Sequence, residues 1–95
     1  MIEVTRTSDG DPLEFEVTVR DQRGESRHHV TMDRSTAARL TGQHTPEQCM
    51  EAAFRFLLDR EPKESIMARF DITVISRYFP EFDERLGEYL ARGRT

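Results

Sequence analysis

The first third of the chain alternates apolar and polar residues with a period of two. In the clearest stretch, polar residues separate the apolar positions Leu13, Phe15, Val17 and Val19. A period of two is typical of a strand that buries one face. Weaker stretches lie on either side, beyond turn-forming clusters at residues 8–11 and 21–24. The pattern predicts an antiparallel β-meander with strands near residues 2–7, 13–20 and 26–32.

Four-residue turns at both clusters fix the register of this meander. They place Val4 opposite Phe15, and Phe15 opposite Val30. The apolar positions of all three strands then share one face, as a sheet buried on one side requires. The other face pairs residues such as Arg20 and Glu25, which predicts that this face is exposed to solvent.

The period changes to that of helices after residue 32. The segment 45–48, Thr-Pro-Glu-Gln, has a capping residue, a proline at the first helical position and a glutamine three residues after the cap. The residues that follow are apolar over half of the helix circumference, which predicts a central helix with two neighbours. Helices are predicted near residues 33–41, 46–59, 63–69, 71–79 and 81–92, and Gly93 is predicted to end the last one.

One of these helices, at residues 71–79, depends on competing signals. The β-branched run at residues 72–75 favours a strand. Asp71, however, is a suitable helix cap, and Ile72, Ile75 and Phe79 share one helical face, so helix is the preferred interpretation and strand the alternative. The helix at 63–69 is predicted to turn three apolar side chains inward: Ile66, Met67 and Phe70.

The fold class that follows is α+β. An N-terminal three-stranded antiparallel β-meander has one face packed by C-terminal helices. The length, 95 residues, is that of one domain, so residues 1–95 are predicted to form a single domain, with the meander in 1–32 and the helical part in 33–95. The predicted core brings together Phe15, Val30, Phe54 and Leu57.

Composition and charge limit the cellular location and the classes of ligand that we expect for the protein. The net charge is −4, which disfavours the basic surface that nucleic-acid binding needs. The N-terminus has no basic and apolar leader, and the longest apolar run, at residues 56–58, is too short to span a bilayer. The expectation is a cytoplasmic protein that binds neither membranes nor nucleic acid.

No motif for catalysis, for a metal or for a cofactor stands out. His28 and His29 are adjacent on a strand and point to opposite faces. Cys49 lies on the apolar arc of the central helix, where a cysteine behaves as a small hydrophobic residue. The glycines are isolated, and none forms a phosphate-binding loop. We therefore expect no catalytic residue, no metal ligand and no cofactor.

The C-terminal half carries a resemblance. Residues 54–66 (FRFLLDREPKESI) and 75–82 (ISRYFPEF) resemble a group of short bacterial conserved proteins of unknown function that share the pattern FxFLLxREPxxSI…IxRYFPEF. The resemblance covers roughly the C-terminal half in detail and the N-terminal strands in pattern only. It implies a small bacterial cytosolic protein, and it implies no activity.

The leading functional hypothesis is a non-enzymatic regulatory or adaptor module that binds another protein or a second copy of itself. The candidate partner surface combines a charged turn with a tyrosine: Arg60, Glu61, Lys63, Glu64 and Tyr78. Arginine and tyrosine are enriched at binding hot spots. A small enzyme of unrecognised class is the first alternative, and a helix-turn-helix around residues 69–71 that binds nucleic acid is the second. A cleft with converging polar groups would favour the enzyme, and an exposed apolar patch would favour the binding module.

Overall fold

The computed structural model describes residues 1–92, which form one sheet and a set of helices. Gly93, the predicted end of the last helix, lies outside these residues. No helix among them combines the length and the apolar character needed to cross a membrane. In chain order, the elements are β1 (Ile2–Ser8), β2 (Leu13–Asp21), β3 (Gly24–Met32), α1 (Arg34–Thr41), α2 (Pro46–Leu58), a 3₁₀ turn (Lys63–Ser65), β4 (Arg69–Asp71), α3 (Thr73–Tyr78) and α4 (Phe82–Arg92).

The sheet has four strands in the order β1-β2-β3-β4. The first three are antiparallel, as predicted, and the α+β class is confirmed. The side chains of β2 alternate between buried and exposed or half-buried positions along its length, so the apolar face of the sheet turns toward the helices. Phe15 lies opposite Val30, as the sequence pattern predicts.

The register of β1 against β2 differs from the predicted one. Val4 lies opposite Val17 instead of Phe15, and a bulge between Arg6 and Ser8 interrupts the pairing. The predicted register requires Pro12 inside the ladder, where a proline has no N–H to donate. The observed shift is two residues, so the apolar side chains of β1 stay on the face that was predicted.

The helix predicted at residues 63–69 is not formed: Lys63–Ser65 make one 3₁₀ turn, and Arg69–Asp71 form the strand β4, which runs parallel to β3. The helical signal ends after one 3₁₀ turn, because the backbone of Ile66 is already extended. The N–H of His29 then donates to the Ala68 carbonyl oxygen (2.7 Å). Hydrogen bonds to the outer edge of β3 outweigh the local preference for a helix. As a result, Met67 is exposed instead of turned inward. The helix-turn-helix interpretation of residues 69–71 is therefore wrong.

The competing signals at residues 72–75 resolve as a helix, as preferred from the sequence. The carboxylate of Asp71 accepts hydrogen bonds from the Thr73 backbone N–H (3.1 Å) and from the Thr73 hydroxyl (2.6 Å). These bonds satisfy a donor that the first turn of α3 would leave without a partner. At α2, Thr45 and Gln48 form the predicted reciprocal capping box.

The helix α2 lies in the centre of the core and contacts partners on two sides. Phe54 faces the sheet, where its ring centroid lies 5.2 Å from that of His28. Phe56 faces the C-terminal helices, with centroid distances of 5.0 Å to Phe82 and 5.7 Å to Tyr89. The predicted core residues are all buried: Phe15, Val30, Phe54 and Leu57.

Replacing Phe54 by alanine tests the position of α2 against the sheet. Phe54 is fully buried, so Phe54→Ala should lower the free energy of unfolding by about 3–5 kcal/mol. Phe79→Ala is the matched control, because the Phe79 side chain is only partly buried against the same core, and its loss should be smaller. Chemical denaturation measures both. A loss under about 1 kcal/mol for Phe54→Ala, the size typical of an exposed site, would contradict this core.

Candidate functional site

Arg60 follows α2 and is turned toward the core. Its guanidinium carbon lies 3.6 Å from the centroid of the Phe56 ring, which is a cation–π contact. Its Nη1 donates to the Phe56 carbonyl oxygen (3.1 Å), and its Nε donates to a carboxylate oxygen of Glu81 (3.2 Å). Arg60 therefore joins the end of α2 to the residue that precedes α4.

Lys63 is buried in spite of its charge. Its side chain is 3% exposed, and its Nζ lies 2.9 Å from a carboxylate oxygen of Asp21 and 2.5 Å from one of Glu64. Hydrogen bonds from Lys63 lower the pKa of both carboxyl groups, and the bonds to Glu64 and Asp21 raise the pKa of Lys63. Lys63 thus ties the end of the β2–β3 hairpin to the 3₁₀ turn.

Of the other three members of the predicted partner surface, Glu64 is the partner of Lys63, and Glu61 and Tyr78 line one groove. This groove has a volume of about 350 Å³, and we call it the α3 groove. It lies among the C-terminal end of α2, the 3₁₀ turn, β4 and α3. Its lining residues are Leu57, Glu61, Ser65, Ile66, Met67, Phe70, Val74, Ile75, Tyr78 and Phe79. The structure therefore brings Glu61 and Tyr78 together, whereas Arg60 and Lys63 make contacts within the fold.

The α3 groove is apolar inside and presents large apolar groups at its surface. Its buried members include Leu57, Ile66 and Ile75. Met67 is 43% exposed and Tyr78 is 69% exposed, and they are the exposed large apolar residues of the groove. The period of a helix predicts Met67 in the core, so no sequence pattern indicates that it belongs to a surface. Exposed apolar groups that border a cavity are typical of a site that another molecule covers.

Among residues 1–92, Glu61 supplies the only charged side chain that lines the α3 groove. The neighbouring charges of the turn are neutralised within the fold, since Arg60 pairs with Glu81 and Lys63 pairs with Glu64. Within residues 1–92, Glu61 itself forms no ion pair. The groove therefore carries one negative charge that an external cation can neutralise.

Two other chemically notable side chains, those of Cys49 and His28, have their contacts within the structure. Cys49 is fully buried, and burial raises the pKa of its thiol to about 11. The ring of His28 spans Ser26 and the Met67 carbonyl oxygen, which lie 2.8 Å and 2.7 Å from its two nitrogens. In the part of the chain that the structure describes, no three histidine, cysteine or acidic side chains are placed to hold a metal ion. These residues have structural contacts, and the α3 groove is the stronger candidate site.

Comparisons with known proteins give no family assignment. The chain matches no protein-family model, no curated protein and no solved structure.

The pH dependence of stability tests the burial of Lys63. Lys63→Met keeps an unbranched side chain of similar length but removes the ammonium group. Because Lys63 lowers the pKa of Asp21 and Glu64, the unfolded chain binds protons at these carboxyls more readily than the native chain. The stabilisation from the ion pairs is present above about pH 4 and is lost as the pH falls through the lowered pKa values. Relative to Lys63→Met, the wild-type protein should therefore keep the same stability from pH 6 to about pH 4 and lose stability as the pH falls further.

Urea denaturation at several pH values measures this difference. Arg85→Met is the control, because its partner Glu88 is exposed and the pair adds little stability. A difference between wild type and Lys63→Met that stays constant from pH 6 to pH 3 would show that Lys63 is not paired in solution.

Proposed function

We propose that this protein is a non-enzymatic adaptor module that binds a segment of another protein in the α3 groove. The observation that carries the proposal is the pairing of an apolar groove with two exposed large side chains, Met67 and Tyr78. Covering such groups removes apolar surface from water, which is the main driving force of most protein association. The volume of the groove, about 350 Å³, falls in the range of cavities that hold a ligand.

Tyr78 has the properties of an interface anchor. It ends α3, and its ring is mostly exposed. Tyrosine combines a large apolar ring with a hydroxyl that can stay hydrated or find a partner, which explains its enrichment at interfaces. Met67 lines the same groove, and its flexible thioether side chain adapts to the shape of a bound group. The two residues are suited to enclose one apolar side chain of a partner.

The charge of the groove narrows the chemistry of that partner. Glu61 has no ion-pair partner within residues 1–92. A lysine or arginine of the bound segment would form that ion pair. Arginine suits this role best, because its guanidinium pairs with a carboxylate through two hydrogen bonds. The net charge of −4 also attracts basic segments over longer distances. We therefore propose a ligand that presents a large apolar side chain close to an arginine or lysine.

The polar groups of the groove favour binding over catalysis. Its polar side chains are Glu61, Ser65 and Tyr78. Within residues 1–92, none of these three side chains donates a hydrogen bond to another, so a nucleophile activated by a base is not formed there. We place the module in the cytoplasm, where a single thiol such as Cys49 stays reduced.

Peptide binding tests the proposed groove. A peptide selected from a random displayed library against the purified protein serves as the probe, and titration calorimetry measures its Kd. Tyr78→Ala and Met67→Ala should each weaken binding by about tenfold, which is about 1.4 kcal/mol. Both side chains are exposed, so the free energy of unfolding should stay within about 0.5 kcal/mol of wild type. Glu61→Gln should weaken the binding only of those peptides that contain arginine or lysine.

Leu40→Ala is the matched control for these variants. Leu40 is a half-buried apolar residue of α1, outside the α3 groove, and its loss should leave the Kd unchanged. Selected peptides that bind Tyr78→Ala and Met67→Ala as tightly as wild type would show that the binding site lies elsewhere.

A further inference from the structure

The strand β4 is an outer strand of the sheet, and it borders the α3 groove. The N–H of His29 on β3 donates to the Ala68 carbonyl oxygen (2.7 Å), just before β4 begins. In a parallel pair, every second residue of a strand directs its backbone groups to the neighbouring strand. Ala68 and Phe70 therefore bond toward β3, and the N–H and C=O groups of Arg69 and Asp71 point away from it. These outward groups make no backbone hydrogen bond to other parts of residues 1–92.

The side chains of β4 divide between the two faces of the sheet. Phe70 turns to the helical face, where its ring centroid lies 6.1 Å from that of Phe54 and where it lines the α3 groove. Successive side chains of a strand point to opposite faces, so Arg69 and Asp71 turn to the other face. There the Thr31 hydroxyl donates to a carboxylate oxygen of Asp71 (2.6 Å). The charges of β4 therefore lie on the face away from the groove.

We propose, in a step that rests on the proposed function, that the segment bound in the α3 groove is an extended strand that pairs with the outer edge of β4. The segment adds a fifth strand to the sheet, and the outward backbone groups of Arg69 and Asp71 are its hydrogen-bond partners. In this mode of recognition, main-chain hydrogen bonds give affinity, and pockets for alternate side chains give specificity.

An added strand brings its side chains to the groove. It lies about 4.8 Å from β4, and its side chain opposite Phe70 points to the same face, within about 5 Å of the Phe70 Cβ. Because Phe70 lines the α3 groove, this side chain enters the groove. The next side chain on that face is two residues along the segment, so it is the one suited to pair with Glu61. The ligand therefore has a large apolar residue and an arginine or lysine separated by one residue.

The length of β4 favours a short peptide segment over a second sheet. The strand has three residues, and α3 begins at Thr73, two residues after it ends. Short edges suppress pairing between whole sheets, because they offer few hydrogen bonds. A segment that also fills the apolar groove gains affinity from both contacts, and the unpaired charge of Glu61 selects a basic residue in it. The occupant that fits this edge is thus the extended segment of a partner.

N-methylation of the peptide tests the added strand on the wild-type protein. The library-selected peptide is synthesised with one backbone N-methyl group at a time, which removes an N–H donor and keeps the side chain. Titration calorimetry measures each Kd. N-methyl groups at two positions separated by one residue should each weaken binding by about tenfold, and the position between them should tolerate the group. Losses at adjacent positions, or at none, would overturn the proposal.

Arg69→Pro tests the same edge from the side of the protein. Proline removes an N–H that points away from β3, so it should block the added strand and spare the β3–β4 pairing. Arg69→Ala is the matched control, because it removes the exposed side chain and keeps the N–H. Arg69→Pro should weaken peptide binding by about tenfold, and Arg69→Ala should bind like wild type. Both variants should keep the wild-type midpoint of chemical denaturation.

Tyr78→Ala separates a failure of the added strand from a failure of the proposed function. Peptide binding that Tyr78→Ala weakens and Arg69→Pro leaves unchanged would overturn the added strand and keep the α3 groove as the site. Peptide binding that neither substitution weakens would overturn both.

Discussion

The burial of α2 on two sides is the constraint on which the rest of the structure depends. Phe54 and Phe56 are two residues apart and so lie on opposite sides of this helix, where Phe54 faces the sheet and Phe56 faces α4. A helix with so broad an apolar arc must have both neighbours to remove its surface from water. The chain after α2 therefore folds back across its second face, and Arg60 and Lys63 are fixed by contacts within the fold where that return begins. The interactions that hold this turn leave Glu61 as the charge available to another molecule.

The α3 groove is a consequence of how the chain returns to the sheet. Residues 69–71 pair with β3 as a strand, so the chain is extended between the 3₁₀ turn and α3. Extended backbone sends successive side chains to opposite sides, and Met67 is left exposed while Phe70 packs near Phe54. The short helix α3 then ends at Tyr78, whose side chain is mostly exposed. One choice of backbone conformation thus produces both the fourth strand and the groove beside it.

Local periodicity predicts the parts of the fold that local interactions decide. The alternation in β2 and the capping signals of α2 give these elements and their buried faces directly. The strand β4 and the register of β1 depend on hydrogen bonds to distant segments, which no local pattern contains. The same division holds for the candidate site. The local sequence is enough to select Glu61, a charge in a turn, and Tyr78, an aromatic residue at the end of a helix. For Met67, a helical period predicts a place in the core, but the chain is extended there and Met67 is exposed.

The most direct test of the account is the position of a bound peptide on the protein. Backbone amide chemical shifts, recorded by NMR during titration of a library-selected peptide, locate the contact without any substitution. We expect the largest shifts at the lining residues of the α3 groove, above all at Met67 and Tyr78, and little change on the polar face of the sheet. Shifts concentrated on that polar face, with the groove residues unmoved, would contradict the account.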